Sequence, residues 1–127
     1  MATTSSFKMR RPTYELSSTL TYSDTTATKV FSLPDGVRIV DWIVNVVTAF
    51  SGGSTHTIDV GSTSASGDEF LDGVTVATAG KVTLTTHVQL AGRVTTAITD
   101  VYMSVADGTA GEVRVTCLFS HEKGRLS

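Results

Sequence analysis

The run Val37–Phe50, VRIVDWIVNVVTAF, constrains this chain more than any other stretch: it is dominated by Val, Ile, Trp and Phe and is cut off by Ser51-Gly52-Gly53-Ser54. Its polar residues Arg38, Asp41, Asn45 and Thr48 recur three, four and three apart, which would also suit the solvated face of a helix. The apolar residues decide between the two. Most are β-branched; such side chains lose χ1 freedom in a helix and pack well on a pleated surface. The stretch therefore reads as a central β-strand, with Val40, Trp42, Val44, Val46 and Phe50 on one face and Ile39, Ile43 and Val47 on the other. A strand apolar on both faces needs cover on both. One face packs on the domain's own core, and Ile39, Ile43 and Val47 are the expected contact with a loop, an arm or a second subunit.

The remaining sequence keeps the same character. Leu16, Ser18, Leu20 and Tyr22 alternate with Glu15, Ser17, Thr19 and Thr21. Ala27–Leu33 follows, and Pro34-Asp35-Gly36 is a turn in which Pro presets φ and Gly accepts a positive one. After the central strand come Thr55–Val60, a short edge strand at Val74–Ala77, the alternating Val82–Leu90, Ile98–Val105 and Glu112–Ser120. Asp107-Gly108 marks the last hairpin. Asp68–Asp72 is expected to make one helical turn. About eight strands, closely spaced turn signals and no longer helix predict an all-β, antiparallel β-sandwich. A jelly roll comes first because Gly61–Asp72 is long enough to cross one end. The expected boundaries are an extended N-terminal arm at 1–12, the sandwich at 13–120 and a C-terminal tail at 121–127.

Composition narrows the function. At 127 residues the chain suits one domain, and its charged content of 17% lies below the usual quarter, with Thr and Ser in its place. A formal net charge of -2 argues against a nucleic-acid-binding body. No apolar run reaches signal-peptide or membrane-span length, so synthesis in a cytoplasm-like compartment is expected, with no membrane partner. Cys117 is the single cysteine. Its place in the alternating run Val113, Val115, Cys117, Phe119 makes it a core residue.

No catalytic pattern emerges. His56, His87 and His121 lie in separate segments. Asp59, Asp68, Glu69 and Asp72 form an acidic cluster, yet their spacing fits no calcium loop. No serine occupies a nucleophile elbow, and the glycine-bearing loops lack the strand-to-helix setting of a phosphate cradle. The expectation is a protein that is not an enzyme, with no cofactor, no metal and no small-molecule substrate. Trp42, Tyr14, Tyr22 and Tyr102 would need to share an exposed platform to bind sugar; the competing expectation is a core tryptophan and scattered tyrosines. On the arm, Phe7 and Met9 interleave with Lys8, Arg10 and Arg11. That pattern suits apolar anchoring and ion pairing on a neighbouring protein better than phosphate binding.

The order of parts from Val37 to Gly80 resembles small structural proteins encoded among the virion genes of tailed bacteriophages. It comprises a hydrophobic strand ending Thr48-Ala49-Phe50, a Gly-Gly break, Thr57-Ile58-Asp59-Val60-Gly61, a polar loop, Phe70-Leu71-Asp72 and Ala77-Thr78-Ala79-Gly80. The resemblance covers about a third of the chain. It implies a β-sandwich or jelly-roll module, often trimeric, that decorates capsids or builds tail and connector parts. The expected role is a capsid decoration (cement) protein on the virion surface. Its partners would be further copies of itself, as a homotrimer, and the major capsid protein. A tail, neck or head-fibre component, or a carbohydrate-binding host-attachment module, are the alternatives.

Overall fold

The structure, a computed structural model, describes residues 13–64, 70–82, 84 and 95–121. Eight strands appear in this order: β1 (Thr13–Thr21), β2 (Thr28–Leu33), β3 (Val37–Ser51), β4 (Thr57–Gly61), β5 (Leu71–Thr75), β6 (Gly80–Lys81), β7 (Thr99–Val105) and β8 (Ala110–His121). They form two four-stranded sheets, ordered β1-β8-β3-β6 and β2-β7-β4-β5. All pairings within the sheets are antiparallel. The pairing is nested: first strand with last, second with seventh, third with sixth, fourth with fifth.

The core between the sheets takes one side of each strand. From the first sheet come Leu20, Val37, Ile39, Trp42, Val44, Val46, Phe50, Val113, Val115, Cys117 and Phe119; Leu33, Ile58, Val60, Leu71, Val74, Val101, Met103 and Val105 answer from the second. Burying such side chains contributes roughly 1.5–3 kcal/mol each before the entropy of ordering them is subtracted. Phe70 joins the layers: fully buried, its ring lies 5.3 Å from that of Trp42.

β3 departs from simple alternation, and the cause is local. Its register against β8 slips between Ile39 and Asp41, between Val46 and Thr48, and between Thr48 and Ser51. Val40 and Val47 are the extra residues of the first two slips, and each such bulge reverses which parity faces inward. Val37 and Ile39 therefore point into the core, Trp42, Val44 and Val46 follow with the other parity, and Phe50 returns beyond the last slip. The expected faces of Ile39 and Val40 are thus exchanged: Ile39 is fully buried, while Val40 is exposed. At the third slip Gly111 faces Phe50, and a Cβ there would stand 2.4 Å from Phe50 Cγ. With its φ of 136° as well, no other residue fits without displacement.

Two other expectations change. Leu71 and Asp72 do not join a helical turn; they open β5, because Leu71 pairs with Val60 and Phe70 N–H donates to Val60 O at 2.8 Å. A helical turn would forfeit that ladder. Asp68 and Glu69 lie outside the described residues. The alternation expected over 82–90 begins with Val82 and Leu84 packed against the core, and Val82 N–H donates to Val44 O at 2.9 Å. Residues 83 and 85–90 lie outside the described set.

Candidate interaction surfaces

The outward side of the first sheet is built in rows set by the strand register. Glu15 and Asp41 flank Leu118, Ser17 and Ile43 flank Thr116, and Thr19 and Asn45 flank Arg114. Ile43 and Leu118 are half-buried diagonal neighbours, and Val47 stands 53% exposed on its bulge. Of the three residues expected to cover a second subunit, the structure leaves Ile43 and Val47 on this outward side. Ile39 belongs to the core, for the reason given by the Val40 bulge. Around the apolar centre lie hydroxyls and charges of both signs, with Arg114 Nη2 donating to Ser17 Oγ at 3.0 Å.

The arm residues Phe7, Lys8, Met9, Arg10 and Arg11 lie outside the described residues, as does the tail beyond His121. Their points of attachment are fixed by the strand pairing. Thr13 pairs with Ser120 and Val37 with His121, so both chain ends leave from the same end of the first sheet. There Thr95, 5% exposed, ties the β2–β3 turn. Its hydroxyl donates to Pro34 O at 2.7 Å and accepts from Val37 N–H at 3.0 Å, and its own amide donates to Val37 O at 2.9 Å.

The opposite end carries a second polar cluster. The exposed Asp107 accepts from Ser54 N–H at 3.1 Å, Thr55 N–H at 3.0 Å and the Ser54 hydroxyl at 3.3 Å. These backbone donors hold its carboxyl below the ordinary aspartate value, with a smaller contribution from His56. His56 Nε2 lies 2.7 Å from Gly52 O, and Thr109 N–H donates to Ser51 O at 2.8 Å. The β3–β4 loop and the β7–β8 turn are thereby fastened together. Thr95 and Asp107 were not legible as anchors. The Asp107-Gly108 dipeptide signals a hairpin turn, but the amides it grips lie more than fifty positions earlier, and nothing local marks them.

Other candidates separate. Tyr14 and Tyr22 are 45% and 43% exposed, but Tyr14 sits near the start of β1 and Tyr22 directly follows its end, about 26 Å away along the strand direction. Trp42 is core. These aromatics therefore form no common platform. Asp59 accepts from Gly73 N–H at 2.7 Å, which ties β4 to β5. Among the described residues no three His, Cys, Asp or Glu side chains could hold a metal ion together. His87 and the side chain of His121 lie outside the described set. Cys117 is buried, and burial, with a smaller effect of Asp41, pushes its thiol up to about 12.

No protein-family model matches this chain, and no curated protein sequence does. A solved structure does. A chain of the cyanophage Pam1 capsid asymmetric unit superposes with a TM-score of 0.65 at 21% sequence identity, over 94% of this chain and 97% of that one. The likeness is one of fold.

Proposed function

We propose that this chain is a structural protein of a bacteriophage virion, located in the capsid. The observation that carries the reading is the near end-to-end likeness to a chain of a phage capsid asymmetric unit. The sequence resemblance to small virion proteins points the same way independently. We read the nested strand order as a jelly roll, since an eight-stranded hairpin folded over on itself pairs first with last and fourth with fifth.

Within the capsid, we assign it the part of a decoration (cement) protein on the outer shell. The body is a rigid two-layer block whose outward face offers Ile43 and Val47 for contact between three copies. The arm, through Phe7, Met9, Lys8, Arg10 and Arg11, would grip the major capsid protein. Each copy then bridges capsid subunits, and many weak contacts act together against internal pressure. No catalysis, cofactor, membrane or direct nucleic-acid contact enters this reading.

Two measurements test it. Sedimentation should give three times the chain mass of 13.4 kDa, or a multiple of that where trimers associate further. Purified protein should also co-sediment with empty capsids assembled from the shell protein of the same phage, and lose that binding when residues 1–12 are deleted. A monomer that ignores those capsids, or binds equally without the arm, contradicts the reading.

A further inference from the structure

The sheet edges are unequal in a way the proposed capsid role does not require. β1 runs nine residues against β8 without a register shift. Tyr22 N–H donates to Gly111 O, which fixes the parity: even-numbered residues of β1 turn their backbone groups to β8, and odd-numbered ones turn theirs outward. At Thr21 those outward groups are already used, since its N–H donates to Asp24 Oδ2 at 2.7 Å and its carbonyl accepts from Asp24 N–H at 3.0 Å. Among the described residues, the outward amides and carbonyls of Glu15, Ser17 and Thr19 meet no partner. The other long edge is guarded. β2 carries a bulge between Lys29 and Phe31, the lysine itself and a proline directly after the strand. Such features stop a second strand from adding.

We propose that β1 is the edge by which one copy of this chain joins its sheet to that of a second copy, antiparallel and two-fold about Ser17. That register sets Ser17 against Ser17 and Glu15 against Thr19 of the second copy, giving about six new backbone hydrogen bonds. Charge selects it. A two-fold axis at Glu15 would place the two carboxylates opposite each other, and one at Thr19 would set Ser17 against Thr21, whose groups Asp24 already takes, leaving one bonded pair; in the Ser17 register that loss falls only on the terminal Thr13 pair. In the Ser17 register, Glu15 of the second copy falls in the row of Thr19 and Arg114. The Arg114 guanidinium already leans over β1 to Ser17 Oγ. Two strand spacings, about 10 Å, lie within the joint reach of an arginine and a glutamate. The contact rests on the reading that the chain works by associating with copies of itself. It does not depend on the arm or on the three-fold contact.

The test uses the full chain with Ser17→Cys, oxidised under native conditions and compared with Thr26→Cys in the exposed β1–β2 turn. Ser17→Cys should form disulfide dimers at least tenfold faster, with Cys117 excluded by its burial. In that background Glu15→Arg should slow cross-linking at least tenfold, and Glu15→Arg with Arg114→Glu should restore it. Within one copy these two residues stand about 13 Å apart along the ladder, so the rescue reports a contact between copies. Cross-linking no faster than in the control, or a double variant as slow as Glu15→Arg alone, overturns the proposal. Intact cross-linking with no capsid binding would instead sink the decoration role and leave this contact standing.

Discussion

β1 and β2 each close a sheet of the same sandwich, yet among the described residues one presents an open ladder and the other a blocked one. β1 has one charge, no proline and no bulge over nine residues. β2 has a bulge, and Lys29 lies 3.9 Å from Asp100, whose carboxylate also accepts from the Ser32 hydroxyl at 2.7 Å. The difference teaches where association is invited. A sheet with two equally open edges adds strands without limit, whereas a single open edge takes up one partner per copy when the contact is two-fold.

Perturbing the shared core should produce the largest effect and spare neither edge. Phe70→Ala removes a fully buried ring packed at a tilt against Trp42 and should cost about 3–5 kcal/mol in urea unfolding. Cys117 is a ready probe, because its thiol, pushed up to about 12, should resist alkylation in the native protein and react when the sandwich opens. Phe70→Ala should speed that reaction sharply.

Weakening the guarded edge comes next. Asp100→Ala removes the Ser32 hydrogen bond and the half-exposed Lys29 pair, and should cost about 1 kcal/mol by thermal unfolding. Transferring protection to the open edge should cost less still. Ser17→Lys gives up the exposed Arg114 hydrogen bond yet is expected to cost under about 1 kcal/mol, while abolishing association through β1. A large loss of stability would mean that β1 is not the exposed edge described here.

The smallest effect is confined to acid. Because Asp107 is lowered by the Ser54 and Thr55 amides, its contribution is complete at neutral pH. It starts to fall as the pH nears the ordinary value of 3.8, and is gone below the lowered folded value. Asp107→Asn should remove this acid step from the unfolding midpoint while leaving both edges unchanged.

Much of the framework was legible from side-chain period. β1, β2, β4, β7 and β8 follow their alternating runs to within a few residues, because one solvated and one buried face leaves that pattern in any half-buried strand. β3 was recognisable as the long central strand. The faces of its first half were not, since a bulge adds a residue without changing composition, and Ile39 and Val40 exchange roles there. Phe70-Leu71-Asp72 looked like an apolar turn because its strand partner, Val60, is named only by the tertiary pairing. The outward pair Ile43 and Val47 could be read from the sequence. The open edge could not, as it depends on which strand each sheet leaves unpaired.

Amide exchange on β1, followed by NMR as protein concentration rises, tests most directly whether this chain acts by fitting against copies of itself. The account predicts that Glu15, Ser17 and Thr19 exchange freely in dilute protein and gain at least tenfold protection on association, while Leu16 and Ser18 are protected throughout. Association that leaves the Glu15, Ser17 and Thr19 amides exchanging at their dilute rate would contradict it.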